Sequence, residues 1–176
     1  MTTLEIIATI VGAFAAVIFV TSYQCKSRKW ILLLGAVSRA LFIAQYVLLG
    51  AFSGAVLDLI AILAAVLAGR KHTPILQKLL VPIVITIHTA ILVTSVLLYR
   101  HWYDIFVLLA TTFCVAALWF TRERIIRYVS LCGSPCWLVY NISSKAYFSA
   151  ISDTFAIISL LIAIWRYDIR RKNTTE

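Results

Sequence analysis

Charge is scarce in this sequence. Only 13% of its 176 residues are Asp, Glu, Lys or Arg, and the acids number 7. Soluble domains carry about 25% charged and 45–50% apolar residues. Here the apolar share is 62% and the mean hydropathy is +0.97. That balance excludes an ordinary soluble domain, and with it the basic groove that nucleic-acid binding needs, so no nucleic-acid partner is expected. No GxSxG, HExxH or P-loop is present, so nothing points to an enzyme and no cofactor is implied. The cysteines, Cys25, Cys114, Cys132 and Cys136, form neither a CxxC pair nor a zinc-type spacing. They read as small polarizable packing residues, and no metal site is expected. Met1 to Leu4 lacks Lys and Arg, so the first apolar run reads as a retained helix rather than a signal peptide.

What is present is a series of long apolar runs. A helix crossing the bilayer needs about 20 mostly apolar residues. Seven candidate spans lie at roughly 4–23, 30–50, 52–69, 80–99, 102–120, 125–143 and 147–166. The connections are short, so successive helices are expected to be antiparallel; the longest loop is "GRKHTPILQK" at 69–78. Thirteen Lys and Arg fall at alternate ends of the spans. They are Lys26, Arg28 and Lys29; Arg70, Lys71 and Lys78; Arg122, Arg124 and Arg127; and Arg166, Arg170, Arg171 and Lys172. Only Arg100 and Lys145 fall on the other side. By the positive-inside rule the N-terminus faces outside and the C-terminus the cytoplasm. The expectation is an all-α polytopic membrane protein, with lipid around it.

An internal repeat organises the spans. "LLGAFSGAVLDLIAILAAVLAGRK" and "ISSKAYFSAISDTFAIISLLIAIWR" each begin at an outer turn, continue through Phe52-Ser53 or Phe148-Ser149, and carry one acid, Asp58 or Asp153. An amide precedes each turn, Gln45 in one and Asn141 in the other. The repeat predicts a single membrane domain over 1–176, with triple-helix units at 1–69 and 102–170 and a linker helix at 80–99, a 3+1+3 layout. Transporters bind substrate near the midplane at such repeat interfaces.

"SYQCKSRKW", "AQYVLLGAFSGAVLD" and "CWLVYNISSKAYFSAISD" resemble hallmark segments of the YgjV-type bacterial inner-membrane proteins. That family is in turn similar to the SWEET and PQ-loop transporters, built from two triple-helix bundles and a linker helix. The resemblance implies a transporter of a small solute. The chain departs from the family pattern where Gln45 and Tyr140 stand in place of histidines, and at Arg39, where a small polar residue is expected.

A charge at the centre of a span costs about 2.5–3.5 kcal/mol on the mildest scale, so Arg39 in "AVSRALFIAQYVLLG" needs a partner or a task. At 1.5 Å per residue it lies about 16 Å below the outer turn, and Asp58 and Asp153 lie about 10 Å deep. An Arg39–Asp58 pair is therefore within reach. Two readings stand: a transporter or facilitator with a central polar site, or an accessory membrane protein whose charges pin the helices. In the first, the substrate-binding residues are Arg39, Gln45, Asp58, His88, Trp137, Tyr140, Asn141 and Asp153, and the ligand is a small polar solute of unknown identity. His88 also reads as a satisfied packing residue, and its neighbours Thr86, Thr89, Thr94 and Ser95 could back-bond to helix carbonyls. Pro135, in "CGSPCW", removes a backbone donor and is the candidate hinge. Gly12, Ala13, Ala15 and Ala16 form a small-residue stripe that suits packing against a partner, but the oligomeric state is open.

Overall fold

A computed structural model describes residues 3–24, 28–71 and 73–169. Long apolar runs without internal glycine clusters favour helix, because a helix satisfies its own backbone groups where no water can. Accordingly the described residues are largely helical: α1 Thr3–Gln24, α2 Arg28–Leu48, α3 Phe52–Gly69, α4 Pro74–Lys78, α5 Leu80–Leu97, α6 Asp104–Trp119, α7 Glu123–Ser143 and α8 Tyr147–Ile164. A π-helical turn, Trp165–Ile169, extends α8. By length and composition, Phe52–Gly69, Leu80–Leu97 and Tyr147–Ile169 suffice to cross a membrane; Thr3–Phe19, Ala36–Leu48 and Asp104–Trp119 are shorter apolar stretches. The loop expected at 69–78 contains α4, started by Pro74, whose fixed φ suits a first helical turn.

Among the described residues, six helices close a ring. Around it, α1 packs on α2, α2 on α3, α3 on α6, α6 on α7, α7 on α8, and α8 returns to α1. Helix α5 lies outside, against α3 and α6. The ring therefore has two seams between its halves, α3 against α6 and α8 against α1. One end of the ring carries Glu5, Gly50, Arg100, Asp104 and Lys145 around a shared cavity of about 350 Å³. The other end is basic. There Lys71 Nζ donates to the carbonyls of Leu118 and Phe120 at 3.1 and 2.7 Å. Arg127 grips Asp168 through Nε at 3.0 Å and Nη2 at 2.7 Å, which fastens the π-helical turn to α7.

Polar groups share the interior with an apolar core, and large apolar side chains face outward. The interior holds Ser38, Gln45, Ser53, Asp58, Thr111, Asn141, Ser149 and Ser152, whereas Leu4, Phe14, Val17, Leu63, Val81, Leu97 and Ile162 face outward. Many of the buried apolar residues are alanines, including Ala8, Ala15, Ala55, Ala64, Ala110 and Ala150. Small residues let helices approach closely where lipid removes the usual hydrophobic drive. The stripe on α1 is used in this way. Gly12 lies against the Gln45 amide, and the Ala15 carbonyl accepts the Ser38 hydroxyl at 2.9 Å. It therefore faces α2 within the chain. Gly133 has the same role: a Cβ there would meet Cys114 Sγ at 2.8 Å.

The repeat is visible in the backbone. Before α3, Gly50 has φ +71° and Ala51 sits at φ −83°, ψ 58°. Before α8, Lys145 has φ +63° and Ala146 sits at φ −84°, ψ 60°. Ala51 N donates to the Tyr46 carbonyl at 2.9 Å, and Ala146 N to the Asn141 carbonyl at 2.8 Å. This matched turn sets the register: Gln45 corresponds to Tyr140, Tyr46 to Asn141, Gly54 to Ser149 and Asp58 to Asp153. The two amides, Gln45 and Asn141, are one residue out of register. The Phe-Ser pairs that make the repeat conspicuous in the sequence are offset by one in the same way.

Candidate functional site

A cavity of about 280 Å³ lies inside the ring and draws its walls from all six ring helices. Phe19 comes from α1, Arg39, Phe42 and Tyr46 from α2, and Asp58 from α3; Thr111 and Cys114 come from α6, Trp137 and Asn141 from α7, and Ser149, Ser152 and Asp153 from α8. Ligand pockets typically run from about 300 to 1,000 Å³, so this one suits a metabolite of modest size.

The two acids differ in their partners. Arg39 Nη1 donates to Asp58 Oδ1 at 2.9 Å, so the pair suggested by their depths is made. The Asp58 side chain is 10% exposed and that of Arg39 is 53%, so the guanidinium satisfies a buried carboxylate while keeping access to open space. Asp153 instead accepts from the neutral Asn141 amide, Nδ2 to Oδ2, at 2.6 Å. Asn141 Oδ1 accepts the Tyr46 hydroxyl at 2.9 Å. These two bonds orient the Asn141 amide, because its nitrogen must face the carboxylate and its oxygen the hydroxyl. Tyr46 also stacks on Trp137, centroids 6.3 Å apart at 18°, so one wall of the cavity is aromatic.

Above the cavity, toward the Gly50 and Lys145 turns, lies a closed polar layer. The Ser149 hydroxyl donates to Gln45 Oε1 at 2.8 Å. On the other side of the layer, Gly54 N donates to the Tyr140 hydroxyl at 2.8 Å, and Ser53 Oγ lies 3.0 Å from that hydroxyl. Ser53 Oγ in turn donates to Asp104 Oδ1 at 2.7 Å. Asp104 Oδ2 accepts from the backbone of Arg100 and His101 at 2.9 and 2.8 Å, which fixes the turn before α6. Gly54 must lack a side chain, since a Cβ would stand 2.6 Å from the Tyr140 oxygen. The Tyr140 ring packs edge-on against Tyr46, Trp137 and Tyr103. This layer separates the central cavity from the larger cavity at the turn end.

Five of the residues expected at a site, Arg39, Asp58, Trp137, Asn141 and Asp153, line the cavity. Gln45 and Tyr140 belong to the closed layer. His88 stands apart on α5, outside the ring, with Nδ1 2.8 Å from the Val84 carbonyl of its own helix. Helix α7 runs unbroken through Pro135. Cys25, Lys26, Arg170, Arg171 and Lys172, together with the side chains of Gln24, Arg28, Lys29 and Trp30, lie outside the described residues. Among the described residues no group of three or more His, Cys, Asp or Glu could hold a metal ion.

Sequence reasoning assigns no site role to Tyr46, Thr111, Ser53 or Asp104. Tyr46 stands beside Gln45, and its helix register places it on the inner face. Thr111 is a polar residue within an apolar helix. Asp104 opens α6, where an acid meets unpaired backbone donors, and that position is its signal.

No curated protein and no solved structure matches the chain. The family model described as "Bacterial inner membrane protein", Imp-YgjV, matches residues 6–171. With a match across nearly the whole chain, this multi-pass helical protein belongs to the Imp-YgjV family of bacterial inner membrane proteins.

Proposed function

We propose that the protein is a transporter or facilitator that moves a small polar solute across the inner membrane through the central cavity. The observation that carries this reading is a cavity walled by all six ring helices, with two carboxylates and a guanidinium on its surface. Intramembrane ionisable groups facing a cavity are the usual mark of a solute pathway. In this reading the seven long helices all span, in the 3+1+3 arrangement, and the basic end is cytoplasmic. The likeness to SWEET and PQ-loop transporters belongs to the same reading and rests on the repeat and the linker helix. The layer of Gln45, Ser149, Tyr140 and Ser53 is then the outer gate, closed in this conformation. Pro135 gives α7 a missing backbone bond at which to bend.

Uptake into proteoliposomes tests this. Wild-type protein is offered labelled sugars, amino acids, amines and organic acids, beside Ala156→Trp, which fills the cavity wall. Uptake of at least one solute above that of empty liposomes, lost in the folded Ala156→Trp protein, is the expected result. No uptake of any solute, or uptake unchanged by the tryptophan, would count against it.

The Arg39–Asp58 pair supports a second reading, an accessory protein without cargo whose ion pair pins α2 to α3. A pure pin predicts that removing both charges restores the stability lost by removing one. It also predicts that transport is absent throughout.

A further inference from the structure

Acidic and basic side chains are unequal in number around the cavity. Among the described residues its lining holds Asp58 and Asp153 but a single basic residue, Arg39, which Asp58 engages at 2.9 Å. Asp153 is held by a neutral amide, and Asn141 brings it no counter-charge. A carboxylate away from bulk water is strongly favoured by a cation brought beside it. The neighbouring wall is Trp137 stacked on Tyr46, whose ring faces attract cations and attract them more strongly when water is excluded.

A second observation comes from α6. Thr111 is fully buried in the cavity wall, and its hydroxyl has no hydrogen-bond partner among the described residues. Buried hydroxyls in helices ordinarily bond a preceding carbonyl, and leaving one unpaired is costly. A ligand with a second polar group would satisfy it.

We propose that the solute is a small organic ammonium ion carrying a hydroxyl or similar group, its nitrogen held by Asp153 against Trp137 and Tyr46 and its second polar group by Thr111. This rests on the transporter reading and names the substrate class of that same cavity. Anionic solutes are disfavoured because Arg39 is already matched to Asp58, and neutral sugars would leave Asp153 without a counter-charge.

Choline and ethanolamine are suitable probes, each paired with its neutral analogue in which carbon replaces nitrogen. Binding to the purified full chain is measured by calorimetry, on wild type, Asp153→Asn and Thr111→Val. At least one ammonium compound is expected to bind about tenfold or more tightly than its neutral analogue, the preference a single charge contact gives. Asp153→Asn should abolish the preference, and Thr111→Val should weaken binding by a smaller factor. Thermal unfolding of each variant establishes that it is folded, and Asp153→Glu should retain the preference if Asn fails to fold. Equal binding of the neutral analogues, or a preference that survives in Asp153→Asn, would overturn the proposal. Uptake of a sugar or an acid but of no ammonium compound would overturn it while leaving the transporter reading intact. No uptake of any solute would remove both.

Discussion

The turns before α3 and α8 carry the chain through nearly the same angles, yet the acids that follow them keep different company. Asp58 meets a guanidinium and Asp153 meets an amide. The same divergence appears one turn higher, where Gly54 donates to a tyrosine hydroxyl and its counterpart Ser149 gives its own hydroxyl to a glutamine. Backbone geometry is kept in both halves while the side chains diverge. A repeated scaffold therefore does not imply a repeated site. One half supplies an ion pair and the other a carboxyl group held by an amide, so the two halves present different chemistry to the cavity.

Altering one half at a time exposes that asymmetry. The largest effect is expected at Gly54→Leu, which drives a side chain into Tyr140 and displaces its hydroxyl from the Gly54 amide. Overpacking of this kind costs about 1–3 kcal/mol, and thermal unfolding in detergent should show it as a clear drop. Arg39→Ala comes next. It leaves the buried Asp58 carboxylate without its cation, but the exposed guanidinium holds part of the pair in a screened setting. A loss of about 1–2 kcal/mol is expected, with Asp58→Asn in the same protein recovering part of it. Ser149→Ala, at the counterpart of Gly54, removes one hydrogen bond, for a loss of about 0.5–1.5 kcal/mol. Asn141→Leu, in the same half, should disturb the orientation of Asp153 and Tyr46 and act on ligand binding more than on unfolding.

The smallest effects lie at the turns themselves. Gly50→Ala places a Cβ at φ +71° and should cost about 1 kcal/mol. Lys145→Gly relieves the same strain at φ +63° but gives up the 3.3 Å contact with Glu5, so unfolding should hardly shift. Equal losses at the two turns would show that the matched backbone is not the determinant of stability there.

Much of this is legible in the sequence. Apolar runs mark the seven long helices to within a few residues, since run length is a direct measure of what a bilayer helix needs. The depths of Arg39 and Asp58 anticipate their contact because the rise per residue is fixed. Helix partners are not legible. In lipid a helix is apolar on most faces, so its periodicity says little about which neighbour it meets. Hence α3 could not be assigned to α6, nor α8 to α1, and His88 could not be placed outside the ring. The register of the repeat is also hidden. Phe52 and Phe148 are the conspicuous match, but Gly50 and Lys145 are the equivalent positions. A lysine gives no hint that its backbone adopts the glycine-like conformation.

The crossing of α3 onto α6 and of α8 onto α1 also orders events in time. Chains are made from the N-terminus, and earlier segments wait for later ones. When α3 is complete, Ser53 has neither Asp104 nor Tyr140, because both belong to helices not yet made. Glu5, near the start of α1, meets Lys145 only when the final turn arrives. The bundle is thus stitched shut by α8, whose contacts with α1 and α7 complete the ring.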